Sequence, residues 1–130
     1  MADARADLSP AAVQFLKARH LATLTTLRPD GSPHVVPVGF TWDPFAGVAR
    51  VITSAASRKA RNAAAAGTPA VLCQVDGRHW LSLEGPVLVR ADLASVRAAE
   101  QRYAERYRVP RENPQRVVLE ITVHRVLGNL

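Results

Sequence analysis

The sequence predicts a mainly β fold: about six antiparallel strands curled into a barrel, with three helices beside them. Three observations predict it. Short β-branched runs recur along the chain, and turns marked by Gly or Pro join most of them as hairpins, which enforces antiparallel pairing. A sheet of that size avoids open edges by closing on itself. Only three stretches carry helix-start signals, at Ser9, Ser57 and Asp92.

Each element has a local reason. Ser9-Pro10 is an N-cap followed by proline at the first helical position. Val13, Phe15 and Leu16 give that helix its apolar side, and it ends near Arg19-His20. Leu21–Leu27 is a threonine-rich strand. Arg28–Pro33 is a turn in which Pro29 fixes φ and Gly31 tolerates positive φ. His34–Trp42 completes the hairpin, and Asp43–Gly47 turns into a strand from Val48 to Thr53. A second helix is expected from Ser57 to Ala66, closed by Gly67 and stopped by Pro69. Ala70–Val75 is a strand, and Asp76-Gly77 signals a hairpin to a long strand, His79–Arg90. Gly85-Pro86 marks a bulge or bend within it. Asp92 caps a third helix through about Tyr107. Leu93, Val96, Tyr103 and Tyr107 form its apolar stripe, and Arg97, Glu100, Arg102 and Glu105 a solvated face. Arg108–Arg116 is a proline-broken loop, and Val117–His124 the last strand. With no linker, repeat or low-complexity tail, residues 1–130 read as a single domain.

Composition narrows the function. No apolar run approaches the ~20 residues of a membrane span. The start, MADARAD, is polar and mixed in charge, unlike a secretory signal. The single cysteine, Cys73, excludes an internal disulfide framework and sits in an apolar run as a buried, inert thiol. A cytoplasmic protein fits these features. The net charge of +6 and a pI near 10.7 favour anionic partners without choosing among them. A nucleic-acid reading rests on charge alone, since no recognised motif or basic–aromatic pattern accompanies it. His20, His34, His79 and His124 lie far apart, without a ligand-spaced set, so no metal is expected. No catalytic triad, nucleophile elbow or P-loop is present. Enzymatic chemistry here would therefore come from a cofactor, with no catalytic side chain.

The segment ITSAASRKARN (52–62) concentrates the signals of a phosphate site. A strand runs into a hydroxyl-bearing turn, Ser57 caps a helix, and Arg58 and Lys59 open it. N–H groups, hydroxyls and cations at a helix start suit a phosphate. Lys17 and Lys59 are the two lysines beside fifteen arginines. The same pattern also describes a basic helix start facing water. Along Val36-Pro37-Val38-Gly39, proline removes a ladder donor and glycine a side chain, so either a flat ring lies against this backbone or an edge strand bends at a barrel rim. Trp80 shares a face with Ser82 and Glu84, opposite Leu81 and Leu83, as at a pocket, an interface or a barrel end. Gln74 points away from Val71 and Cys73, toward a heterocycle or toward water.

The segments HLATLTTLRPDGSPHVVPVGF (20–40), VITSAASRKARN (51–62) and VDGRHWLSLEG (75–85) together resemble the split-barrel flavin-binding superfamily of pyridoxamine 5'-phosphate oxidase. The likeness spans Leu8 to Leu127. Within that superfamily the chain is most similar to the actinobacterial flavin/deazaflavin oxidoreductases that use coenzyme F420. The third segment, with RYAERYR (102–108), resembles their small F420-dependent biliverdin reductases. The resemblance implies a six-stranded split barrel and a homodimer with two interfacial cofactor sites, over an interface of order 2,000 Å² or more. It implies that Ser57, Arg58 and Lys59 hold the cofactor phosphate, with Arg61 near its acidic tail. Thr53 would sit by the ribityl chain, the backbone of Val36, Pro37, Val38 and Gly39 along the ring, and Asn62 and Gln74 as secondary contacts. Trp80 would arrive from the partner subunit. Arg28 and Arg78 are the candidates for a tetrapyrrole's propionates. The end of the chain, HRVLGNL (124–130), departs from the arginine-and-histidine motif of true pyridoxamine phosphate oxidases and disfavours vitamin B6 oxidation. The implied activity is hydride transfer from reduced F420 to a biliverdin-like acceptor. FMN in place of F420, or a non-catalytic tetrapyrrole or haem carrier, are the alternatives.

Overall fold

The computed structural model describes residues 8–130; the polar N-terminal segment read above lies outside them. Helix α1 (Pro10–Lys17) starts as expected, with the Ser9 hydroxyl accepting the Ala12 N–H. The strands are β1 (Ala22–Leu27), β2 (Pro33–Val38), β3 (Thr41–Asp43), β4 (Val48–Ser54), β5 (Thr68–Asp76), β6 (His79–Arg90), β7 (Arg116–Thr122) and β8 (Arg125–Asn129). Helix α2 (Arg58–Asn62) follows β4, and α3 (Leu93–Arg106) follows β6.

The described residues form eight strands rather than six, for two reasons. The expected strand 34–42 breaks at Gly39-Phe40 into β2 and β3, which sit at opposite ends of the sheet. After His124 the chain turns back and pairs Arg125–Asn129 with Glu84–Trp80 of β6. All ladders are antiparallel, in the order β2-β1-β5-β6-β7-β4-β3, with β8 joining β6. No ladder links β2 to β4 or β3, so the sheet curls but stays open along one seam. That is the split of the barrel.

The interior holds Leu24, Phe40, Val51, Leu72, Leu83, Val87, Leu119, Ile121 and Val123, all almost wholly buried. Period-two alternation explains the set: β5 sends Ala70, Leu72 and Gln74 inward, and β6 sends Leu81 and Leu83. Helix α3 packs on β4, β7 and β3, burying Val96 and Ala99 against Val118 and Ile52. Leu93, expected on its apolar stripe, is exposed. Two residues of its supposed solvated face instead anchor it. Glu100 accepts from Arg116 at 2.7 Å, and Arg102 reaches the buried Asp43 at 3.2 Å.

No bulge interrupts β6. Its register with β5 runs unbroken from Thr68↔Val87 to Asp76↔His79. The role of Gly85 is close approach: a Cβ there would lie 1.7 Å from the Thr122 carbonyl oxygen, where β6 changes partner from β7 to β8. Because the obstacle is backbone, it cannot rotate away. Gly85→Ala is expected to cost about 2–3 kcal/mol, at the upper end for overpacking, read by urea denaturation.

Candidate functional site

The seam opens into a cavity of about 540 Å³, within the range of small-molecule sites. Its walls come from both sides of the split. Pro37, Val38 and Gly39 form one side, and Ile52, Thr53 and Ser54 at the end of β4 the other. Lys59 closes one end. Tyr103 of α3 and the following loop, with Arg108, Arg111 and Asn113, complete the rim together with Arg116. The edge of β2 stays free partly because Pro37 has no N–H to offer a further strand. Val36, expected along the same wall, turns inward and packs on the core.

The turn after β4 folds as its residues dictate. The Ser57 hydroxyl accepts the Ala60 N–H at 3.2 Å and the Thr53 hydroxyl at 3.0 Å, fixing the strand end to the helix start. Loop 107–115 is tied to the same turn: Asn113 donates to the Ser54 hydroxyl at 2.9 Å, and the Ala55 N–H to the Gln115 carbonyl at 2.8 Å. Helix α2 is shorter than its expected reach to Ala66. It ends at Asn62, where the Ala63 N–H is shared among the carbonyls of Lys59, Ala60 and Arg61. Five residues carry little macrodipole, so the positive character of this end comes from side chains.

Those side chains converge. Burial pushes the Lys59 pKa below its ordinary value, and no carboxylate compensates among the described residues. His34, inward on β2, has its pKa lowered by burial and then by the charges of Arg28, Lys59 and Arg58. Its Nδ1 is buried without a hydrogen-bond partner among the described residues. Arg28 therefore belongs to the Lys59 end, where it also donates to the Pro33 carbonyl at 2.6 Å.

Several expected contacts lie elsewhere. Gln74 faces the core rather than the cavity or solvent. It is fully buried, donates to the Phe15 carbonyl at 2.8 Å and accepts from Arg106 at 2.6 Å. Alternation separated it correctly from Val71 and Cys73, but the Gln74 side of β5 faces the core. Asn62 is also buried; its amide donates to the Thr26 hydroxyl at 3.0 Å and ties α2 to β1, leaving its carbonyl oxygen unpartnered. Arg78 lies at the β5–β6 turn, outside the cavity lining. Trp80 is partly exposed on β6, two strands from β4 and three from β2, and so away from the seam within one chain. Cys73 is half-buried on the outward side of β5 rather than in the core as expected, and what burial it has raises its pKa.

Gly39 does admit a flat ring, but the rings are the protein's own. A Cβ at Gly39 would meet Tyr103 and Tyr107 at 3.1 Å. Tyr107 is locked: its hydroxyl donates to the His20 carbonyl at 2.7 Å and accepts the Phe40 N–H at 3.2 Å. Arg106 lies over the Phe40 ring at 4.7 Å and bonds to the carbonyls of Ala18 and Phe40. Tyr103, 4.9 Å from Tyr107, is left facing the cavity. Tyr103, Arg108, Arg111 and Asn113 were not singled out as site residues. Their available signal was the density of arginine in a proline-braced loop directly after two tyrosines.

Among the described residues no carboxylate lines the cavity, and Lys59, Arg108 and Arg111 have no ion-pair partner. The arrangement suits an anion with a flat body. No group of three or more potential metal ligands forms among them, and no helix is long and apolar enough to cross a membrane.

A family model described as pyridoxamine 5'-phosphate oxidase matches residues 8–129. The chain belongs to this family. It is 58% identical over 129 residues to an F420H(2)-dependent biliverdin reductase of Mycobacterium tuberculosis (strain CDC 1551 / Oshkosh), covering 99% of this chain and 93% of the relative. Its fold is shared with a solved F420 reductase, at TM-score 0.73 and 23% identity, covering 92% of this chain and 98% of the other. A putative pyridoxamine 5'-phosphate oxidase from Lactobacillus delbrueckii superposes at TM-score 0.73 and 20% identity, with 93% of each chain covered. In this member of the family, the oxidase fold's open seam and its basic lining coincide.

The structural assignment of Gln74 and Arg106 is checked by stability. Arg106→Met removes charge-assisted bonds to two carbonyls and an amide and is expected to cost about 3 kcal/mol in urea denaturation. Gln74→Leu should destabilise less and leave the affinity for any seam ligand unchanged.

Proposed function

We propose that this protein is an F420H2-dependent reductase that delivers hydride to a conjugated, biliverdin-like acceptor. The observation that carries it is the seam cavity itself: a flat slot with unpaired cations and no lining carboxylate, in a chain 58% identical to a reductase of that name. The residues present fit the cofactor. Lys59 and Arg58, with the Ser57 turn, would hold its phosphate, each charge-assisted bond contributing about 1.5–3 kcal/mol. Arg28 adds to the same field. Thr53 borders the cavity, its hydroxyl donating to Ser57, and the backbone of Pro37 and Val38 would lie along the ring, Gly39 being covered by the tyrosines. When bound and reduced, the deazaflavin supplies hydride from its C5 carbon. The chain supplies position: a rigid slot orients the donor beside the acceptor, and no side chain acts as a catalytic acid or base.

The protein works, in this proposal, as a cytoplasmic homodimer of one split-barrel domain each. The outer face of β2, β1, β5, β6 and β8 presents Val35, Val75 and Leu127 at about half exposure (55%, 56% and 49%), with Cys73 and Trp80 between them. An apolar sheet face of this kind fits a second copy. Trp80 on it would reach the partner's slot. FMN would meet the same phosphate turn and is the competing cofactor.

Fluorescence titration with F420 beside FMN, followed by biliverdin turnover under reduced F420, tests the activity. Preference for FMN, or no turnover, would overturn it. Lys59→Ala is expected to weaken F420 binding at least tenfold. The charged Lys59 is the form that binds, and its pKa lies below 10.5, so affinity should fall as pH rises through that lowered value. The Lys59→Ala profile should be flat over the same range. Val75→Glu should convert the dimer to a monomer in size-exclusion chromatography with light scattering.

A further inference from the structure

Beyond the slot lies a second chamber of about 350 Å³, lined by Arg19, His20, Leu21, Tyr103, Tyr107 and Arg108. Tyr103 and Arg108 line both chambers, so the two adjoin across that pair. We infer that this second chamber seats the acceptor and that Arg108, with Arg19, receives its carboxylate. The inference rests on the function proposed above and deepens it by placing the substrate.

Polarity along the slot supports the placement. The phosphate-type cations gather about His34 at the start of β2, whereas Tyr103 packs on Gly39, five residues further on. An extended strand covers roughly 16 Å over that distance. The two cationic poles therefore sit apart, leaving the ring of a bound cofactor between them. A conjugated acceptor that takes hydride must stack on that ring, and an anionic group on it would fall toward the Arg108 pole.

The chamber's chemistry matches such an acceptor. The tyrosine rings and the exposed Leu21 offer apolar surface to a flat body. Arg19 and Arg108 make no hydrogen bond or ion pair with described residues. Among the described residues no carboxylate lines the chamber, and His20 Nε2 lies 3.5 Å from the Asp76 carboxylate, which is outside the lining. The floor is fixed in advance, because Tyr107 holds the His20 carbonyl and Arg106 the Ala18 carbonyl. A preformed floor lowers the ordering cost of binding. The earlier candidates fit less well: Arg28 lies at the phosphate pole, and Arg78 at the β5–β6 turn.

Biliverdin and its dimethyl ester, in which the carboxylates are masked, provide the test. Each is titrated by visible absorption against the full-length protein without cofactor, using wild type, Arg108→Ala and Arg108→Lys. Wild type should bind the diacid at least tenfold more tightly than the diester. Arg108→Ala should abolish that preference by weakening the diacid alone, and Arg108→Lys should restore part of it. F420 affinity, followed by fluorescence, should fall less in Arg108→Ala than the diacid affinity does, because Arg108 borders the slot as well as the chamber. Equal binding of diacid and diester by wild type, or a preference that survives undiminished in Arg108→Ala, would overturn the inference. So would a loss of F420 affinity in Arg108→Ala as large as the loss of diacid affinity, which would assign the residue to the cofactor's acidic tail. Failure of wild type to bind F420 would instead sink the proposed function, while the diacid–diester contrast would still decide the role of Arg108.

Discussion

One half-buried guanidinium holds the site together. Arg106 carries its charge into the protein without a carboxylate partner among the described residues, and burial lowers its pKa. Neutral groups compensate: the Ala18 and Phe40 carbonyls, the Gln74 amide oxygen, and the faces of Phe40 and Tyr107. A lone cation in low dielectric survives only when such acceptors converge on it. Their convergence joins the end of α1, the β2–β3 corner, β5 and the last turn of α3. Tyr103 and Tyr107 are thereby pressed onto Gly39, and Arg108 is delivered to the rim.

The open seam follows from two backbone facts. Pro37 denies the edge of β2 a donor, and the chain passes from β2 to β3 at Gly39-Phe40, sending consecutive strands to opposite ends of the sheet. The gap is then covered only in part, by α3 and the loop after it. The asymmetry of charge around that gap is the chemistry of the site: cations without carboxylates on the lining, carboxylates elsewhere tied into pairs. Glu100, Glu120 and Asp43 are each held by two arginines drawn from α3, β4, β6 and β7, and of these arginines Arg116 also reaches the cavity lining. The basic lining is thus the residue of a pairing pattern that uses up acid where it secures the helix.

Local signals were legible and long-range ones were not. Ser9, Ser57 and Asp92 cap the helices as their types demand, and the turn at Arg28–Pro33 forms with Gly31 at positive φ. Lys59, Thr53 and Pro37 to Gly39 do meet at one cavity. Gln74 was misread because alternation tells which residues share a face but not which face is inside, and a polar side chain looked outward until Arg106 supplied its partner. β8 was missed because Gly128 and Asn129 weaken a strand signal that pairing with β6 overrides. The loop residues Arg108, Arg111 and Asn113 became part of the site only through tertiary docking, which no local spacing encodes.

The brevity of α2 has a further consequence. A long helix would bring a permanent positive end built from peptide dipoles, common to every sequence adopting the fold. Here a single turn and a half leaves that contribution small, and the cavity's appetite for anions is written in exchangeable side chains. In this chain the preference for an anion can therefore be altered by exchanging a few side chains, with the scaffold beneath untouched.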